Sequence, residues 1–214
     1  MRKAVAAFFV LFVALATAVL PGGEAWAAGP RIVVLGDSLS AGYDLPPGAS
    51  FPEKLAKALE RDGVEAEIVG AGVSGDTTAG GLARLDWSTA EADAVVVQLG
   101  GNDMLRGIPP EATRANIETI VRRLKERGVA VLLAGMVAPP SMGEDYERSF
   151  NALYPQVAEA EGVMFYPFFL DGVALDPSLN LPDGIHPNEG GIDVIVERIL
   201  PSVKKLVAAS AEAS

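Results

Sequence analysis

Five residues of this chain have the types that acyl transfer needs: Ser38, Gly75, Asn102, Asp183 and His186. His186 is the only histidine in the chain, so any step that needs an imidazole near neutral pH must use it. It lies in Asp183-Gly184-Ile185-His186-Pro187, a loop-like stretch. An acid three residues before a histidine can set its carboxylate against Nδ1 and fix the tautomer, which leaves Nε2 free to take a proton from a nucleophile. Ser38, in Gly36-Asp37-Ser38-Leu39-Ser40, is the candidate nucleophile. A serine hydroxyl is weak until a base stands beside it. The tetrahedral intermediate also needs donors for its oxyanion, and the N–H groups of Ser38 and Gly75 and the side-chain amide of Asn102 can supply them. The plain alternative for His186 is a cap on the helix that follows.

These residues are far apart in the sequence, so the fold must gather them. Short apolar runs at Arg31–Leu35, Glu67–Val69, Asp93–Leu99, Val129–Ala134 and Gly162–Phe165 predict five strands. Between them lie helical patterns. Ser50-Phe51-Pro52-Glu53 is a capping box opening a helix with Leu55, Ala58 and Leu59 on one face. A short helical stretch is expected near Thr78–Leu85. Residues 111–127 place Ile117, Ile120, Val121 and Leu124 on one face, with Gly128 as the stop. Further helices are expected over Tyr146–Glu161 and Glu189–Ala209. Alternation of this kind predicts right-handed βαβ units and a parallel sheet covered on both faces. The expected fold is therefore a single α/β domain, a three-layer αβα sandwich of flavodoxin-like type. Ser38, Gly75, Asn102 and the Asp183/His186 pair all follow carboxyl ends of strands, the edge where open α/β sheets bind ligands. The irregular stretches Tyr43–Ala49, Ala138–Glu144 and Phe168–Asn188 are candidates for a substrate rim.

Composition narrows the chemistry. The formal charge is −11 and there is no basic stripe, which disfavours nucleic acid as a partner. With no cysteine there is no thiol nucleophile and no thiolate metal site. One histidine also argues against zinc, so no metal and no organic cofactor is expected. The N-terminus reads as an export signal over residues 1–27. Arg2 and Lys3 precede an apolar run from Ala4 to Leu20, Pro21-Gly22-Gly23 breaks it, and Ala25-Trp26-Ala27 fits a cleavage site. Residues 28–214 form the expected domain, and a bacterial periplasmic or secreted location follows. The other reading of the leader is a retained membrane anchor.

Together the polar and glycine clusters resemble the GDSL, or SGNH, hydrolases. That family is named for serine, glycine, asparagine and histidine in four blocks, and Ser38, Gly75, Asn102 and His186 stand in that order. The similarity is closest to the periplasmic multifunctional thioesterase I/arylesterase/lysophospholipase subgroup. It rests on Leu35–Tyr43, Val73–Thr77, Gly81–Leu85, Leu99–Asp103, Pro167–Phe169 and Asp183–Pro187, and the resemblance extends over nearly the whole mature chain. The resemblance implies a serine hydrolase acting on acyl esters, aryl esters, acyl thioesters and lysophospholipids. Small-molecule partners and, separately, a monomer are expected. One departure is visible: Gly70-Ala71-Gly72 replaces the usual Asn-Ala-Ser before the second block, which removes side chains and is expected to loosen the oxyanion loop.

Other positions have blander readings. Asp37 and Asp103 are expected to be structural, accepting N–H groups of their own turns. Asp76 and Thr77 read as helix caps. Gly70-x-Gly72-x-x-Gly75 matches the dinucleotide fingerprint by letter but follows the second strand, and no acid ends the next one. Leu39, Leu105, Ile108, Met136, Pro139 and Ile185 are candidates for an acyl groove, against a plain core role. Trp87 and Glu144-Asp145 suggest no function. Two other functions compete: a carbohydrate O-acetylesterase on the same fold, and a non-catalytic envelope-binding protein.

Overall fold

The computed structural model describes residues 29–213, so the leader expected over residues 1–27 lies outside the described residues. The strands are β1 (Arg31–Gly36), β2 (Glu67–Gly72), β3 (Ala94–Gln98), β4 (Ala130–Ala134) and β5 (Met164–Tyr166). The helices are α1 (Ser38–Ala41), α2 (Phe51–Arg61), α3 (Thr78–Ala83), α4 (Leu85–Ser88), α5 (Gly101–Leu105), α6 (Pro110–Glu126), α7 (Glu144–Glu161) and α8 (Glu189–Ala213), with a 3₁₀ turn at Pro140–Met142.

All strand pairs are parallel, in the order β2-β1-β3-β4-β5. Helices α2 and α8 pack together on one face; α3, α6 and α7 form the other layer. This is the three-layer flavodoxin-like sandwich that the alternating pattern predicts. The central strands explain its stability. Val95, Val96 and Val97 of β3, and Leu132 and Leu133 of β4, are fully or almost fully buried and meet Ile117, Ile120, Leu124, Ile195 and Ile199 from the two helical layers. Each fully buried side chain of this size contributes about 1.5–3 kcal/mol of transfer free energy.

The direction of winding reverses between β1 and β3. Ser38 follows the first of these strands and Asn102 follows the other, so both stand at the switch point where such sheets bind ligands.

Two elements differ from the expectation. Strand β2 runs on through Gly70 to Gly72, where glycine's poor strand propensity is overridden by pairing with β1, Gly36 lying opposite Gly72. Gly72 also has a packing role in this strand. A Cβ there would lie 2.7 Å from the backbone nitrogen of Ala41 and 2.9 Å from the carbonyl oxygen of Asp37. The glycine lets α1 rest directly on β2. Helix α5 was not expected at all, because Gly100-Gly101-Asn102-Asp103 has the composition of a turn.

Candidate active site

Asp37 caps α1. Its Oδ1 accepts the Leu39 N–H at 3.0 Å, and this puts Ser38 at the first helical position. Ser38 is half-buried, and its backbone is ordinary: the only non-glycine residues with positive φ among the described residues are Asp44 and Leu175. The nucleophile candidate thus stands on a one-turn helix rather than on a strained elbow.

The long loop after β5 brings His186 to it. That loop is pinned by its own backbone: Leu181 N–H donates to the His186 carbonyl at 2.7 Å, and Asn188 N–H to that of Leu179 at 3.0 Å. Asn180 Nδ2 donates to the carbonyls of Val173 and Asp176, each at 2.7 Å. The helix-cap reading of His186 fails here, because Asn188 does that work: its Oδ1 accepts the Gly191 N–H at 3.0 Å at the start of α8.

With the loop so held, His186 Nε2 lies 2.9 Å from Ser38 Oγ and Nδ1 lies 2.7 Å from Asp183 Oδ2. The other carboxylate oxygen of Asp183 accepts the backbone N–H groups of Ile185 at 2.8 Å and His186 at 3.0 Å. These bonds, the His186 N–H foremost, hold the Asp183 carboxyl down to a pKa of about 2. The tyrosine ring of Tyr43 lies over the imidazole, centroids 4.4 Å apart and tilted by 30°. It is a contact that sequence reasoning did not single out, although Tyr43 ends the first block.

Asn102 projects from the first turn of α5. Its Nδ2 donates to Asp37 Oδ2 at 3.3 Å, and its other amide hydrogen is left for a ligand. Asp37 is almost completely buried, and burial pushes its pKa up to about 6. Gly75 lies in an exposed turn closed by the Asp76 N–H on the Val73 carbonyl at 3.1 Å. Its φ of +84° suits glycine. A Cβ there would meet only Arg106 Nη2, at 3.8 Å, so conformation and not space demands the glycine.

The supporting acids differ in detail from the expectation. Asp37 accepts an N–H of its own turn, as predicted. Asp103 instead reaches another helix: its carboxylate takes the Thr78 N–H at 2.8 Å, the Thr78 hydroxyl at 2.5 Å and the Thr113 hydroxyl at 3.3 Å. Thr77 caps α3 through the Gly80 N–H, at 3.3 Å. Asp76 is not a cap but pairs with Arg84 at 2.6 Å. Arg84, which is buried, also donates to the carbonyls of Ala71 at 2.7 Å and Gly36 at 2.8 Å, tying together the last turns of β2 and β1.

The six groove candidates divide. Leu39 and Met136 are buried in the core and pack beside Gly101, where they support the site from below. Leu105, Pro139 and Ile185 are exposed and Ile108 is half-buried. Each of the five strands is followed by a segment that carries an exposed large apolar side chain: Tyr43, Val73, Leu105, Val137 and, after β5, both Leu175 and Ile185. Trp87, also exposed, precedes β3.

Comparison with known proteins places the chain among the esterases and acylhydrolases. Residues 34–194 match the model of the GDSL-like lipase/acylhydrolase family. The chain is 37% identical over 180 residues to the arylesterase of Vibrio mimicus, covering 83% of this chain and 90% of that protein. It is 36% identical over 183 residues to thioesterase 1/protease 1/lysophospholipase L1 of Escherichia coli K12, covering 85% of this chain and 86% of the relative. Among solved structures it is similar to AlinE4, an SGNH-hydrolase family esterase, with a TM-score of 0.71 and 42% identity over 83% of this chain and 96% of the other.

Proposed function

The chain belongs to the GDSL-like lipase/acylhydrolase family, and from that membership we propose that it hydrolyses acyl esters, aryl esters, acyl thioesters and lysophospholipids through an acyl-enzyme on Ser38. It is a hydrolase whose relatives are named for esterase and thioesterase activity, so its substrates are small-molecule esters. The observation that supports the finer reading is the unbroken line from Ser38 Oγ to His186 Nε2 at 2.9 Å and from Nδ1 to Asp183 Oδ2 at 2.7 Å.

The reaction runs in two halves. Ser38 Oγ attacks the acyl carbonyl while His186 Nε2 takes the hydroxyl proton. The carbonyl oxygen becomes an oxyanion, held by the N–H groups of Ser38 and Gly75 and by Asn102 Nδ2. When the intermediate collapses, the bond to the alcohol or thiol breaks, and His186 returns the proton to that leaving group. A water then attacks the acyl-enzyme with His186 again as base, releasing the acid and regenerating Ser38. Asp183, anionic at all ordinary pH, holds the Nδ1–H tautomer and stabilises the imidazolium. The apolar side chains Tyr43, Val73, Leu105, Val137 and Ile185 favour an acyl or aryl substituent over a sugar at the rim. Residues 1–27 act as a cleaved export signal, placing the enzyme in the periplasm or outside the cell.

Intact-mass labelling with a fluorophosphonate tests the nucleophile. One adduct on the wild type, absent from Ser38→Ala, is expected; an unlabelled wild type overturns the reading. A series of p-nitrophenyl esters from acetyl to palmitoyl separates the acyl classes. Activity confined to the acetyl ester would return the carbohydrate O-acetylesterase to first place.

A further inference from the structure

We infer that Arg106 is a positioning residue that joins two of the oxyanion donors, Gly75 and Asn102, into one unit. The inference rests on the Ser38 reading above. Arg106 is the residue at which α5 ends. Its backbone N–H donates to the carbonyl of Asn102 at 3.1 Å. Its guanidinium crosses to the loop after β2, where Nη2 donates to the carbonyl of Gly75 at 2.7 Å. One residue therefore closes the turn that carries the asparagine amide and grips the carbonyl of the glycine read as the other donor.

The grip matters because of what else holds that glycine. Val73, Ser74 and Gly75 are all exposed. Their loop is anchored at its start by the Val73 N–H on the Gly36 carbonyl at 3.1 Å, and it closes on itself through Asp76. Glycine has the widest backbone freedom of any residue, and nothing packs within 3.8 Å of where its side chain would be. A donor that must already point at the developing oxyanion cannot be left to reorganise during the reaction. The guanidinium bond supplies that restraint from the same short helix that carries Asn102. A second, buried tie from α5 to the segment after Gly75, Asp103 on Thr78, fixes how far apart the two elements stand. It does not reach the glycine itself.

The contact is exposed, so it adds little to folding stability; its effect belongs to the transition state. Steady-state hydrolysis of p-nitrophenyl butyrate by Arg106→Ala, Arg106→Lys and wild type tests this. Loss of a whole oxyanion donor costs about 10²–10³ in kcat. Loosening one is expected to lower kcat of Arg106→Ala about 10-fold, with KM within about twofold and the melting temperature unmoved. Arg106→Lys should fall between the two, and millimolar methylguanidinium should restore part of the alanine variant's rate. Phosphonylation of Ser38 should slow in parallel, since its transition state also places negative charge on oxygen. A kcat within twofold of wild type overturns the inference. So does a loss that neither lysine nor methylguanidinium relieves, because that pattern belongs to a folding role. Failure of the nucleophile reading looks different: the wild type itself would then carry no adduct.

Discussion

Asp37 Oδ2 and Asn102 Nδ2 are 3.3 Å apart, and this bond ties the cap of α1, the helix that opens with Ser38, to the first turn of α5. The same carboxylate therefore orders the surroundings of both residues: its Oδ1 sets the start of α1, and its Oδ2 occupies one amide hydrogen of Asn102, which leaves the other for a ligand. The two elements come from the strands on either side of the switch point.

Asn102→Ala should lower kcat by about 10²–10³ and leave KM for short esters nearly unchanged, as removal of a single oxyanion donor does elsewhere. Kinetics on p-nitrophenyl butyrate will decide. A rate within a factor of two of wild type would remove Asn102 from the site.

Ser38→Ala and His186→Ala should each cost roughly 10⁴–10⁶ in kcat, and the double variant should be no worse than either alone, because the two act as a unit. Additive losses would mean that His186 does not act through Ser38.

Asp183→Asn should be slower than Asp183→Ala. An asparagine Oδ1 can keep the backbone bonds to Ile185 and His186, which would turn its NH₂ toward Nδ1. The ring would then carry its proton on Nε2, facing Ser38, the wrong tautomer for a base; the corresponding change in a serine protease costs about 10⁴. Alanine leaves the tautomer free. Equal rates for the two variants would show that the carboxylate acts by charge alone.

The two acids also predict opposite pH effects on stability. Asp183 has a lowered pKa of about 2, so the stability it contributes is present above its ordinary value near 4 and is lost as pH falls through about 2. Its titration therefore puts no inflection in rate profiles between pH 5 and 8. Asp37 has a raised pKa of about 6, so its contribution is full below pH 4 and is lost as pH rises through 6. A shift of about two units corresponds to about 3 kcal/mol. Denaturant melts of wild type and Asp37→Asn at pH 4.5 and 7.5 should show the variant gaining relative stability at the higher pH by an amount of that order. The same difference at both pH values would contradict an Asp37 that ionises in this range.

Much of this was legible in the chain, for physical reasons. The strands of a parallel sheet are buried on both faces, so β1, β3 and β4 announce themselves as apolar runs; helix α6 shows its 3.6-residue period. The site residues were legible because chemistry restricts the types available, above all the lone His186. What stayed hidden depends on partners distant in sequence. Gly70 and Gly72 belong to β2 only because β1 pairs with them. Asp103 serves α3 rather than its own turn. Arg84 and Arg106 grip backbone carbonyls, which carry no sequence signal, and Tyr43 meets His186 only after the β5 loop folds back. Leu39 and Met136 show the limit of composition: apolar residues beside a site can equally be its floor.

The solitary imidazole has a further use. In a chain with one histidine, every imidazole signal in a proton or nitrogen NMR spectrum comes from the group between Ser38 and Asp183. The Tyr43 ring, 4.4 Å away, displaces that signal by its ring current, so the chemical shift reads the closeness of the stack while the nitrogen shifts read the tautomer. Substrate analogues, variants and pH can thus be followed at one atom of the untagged protein, without isotope editing to sort residues.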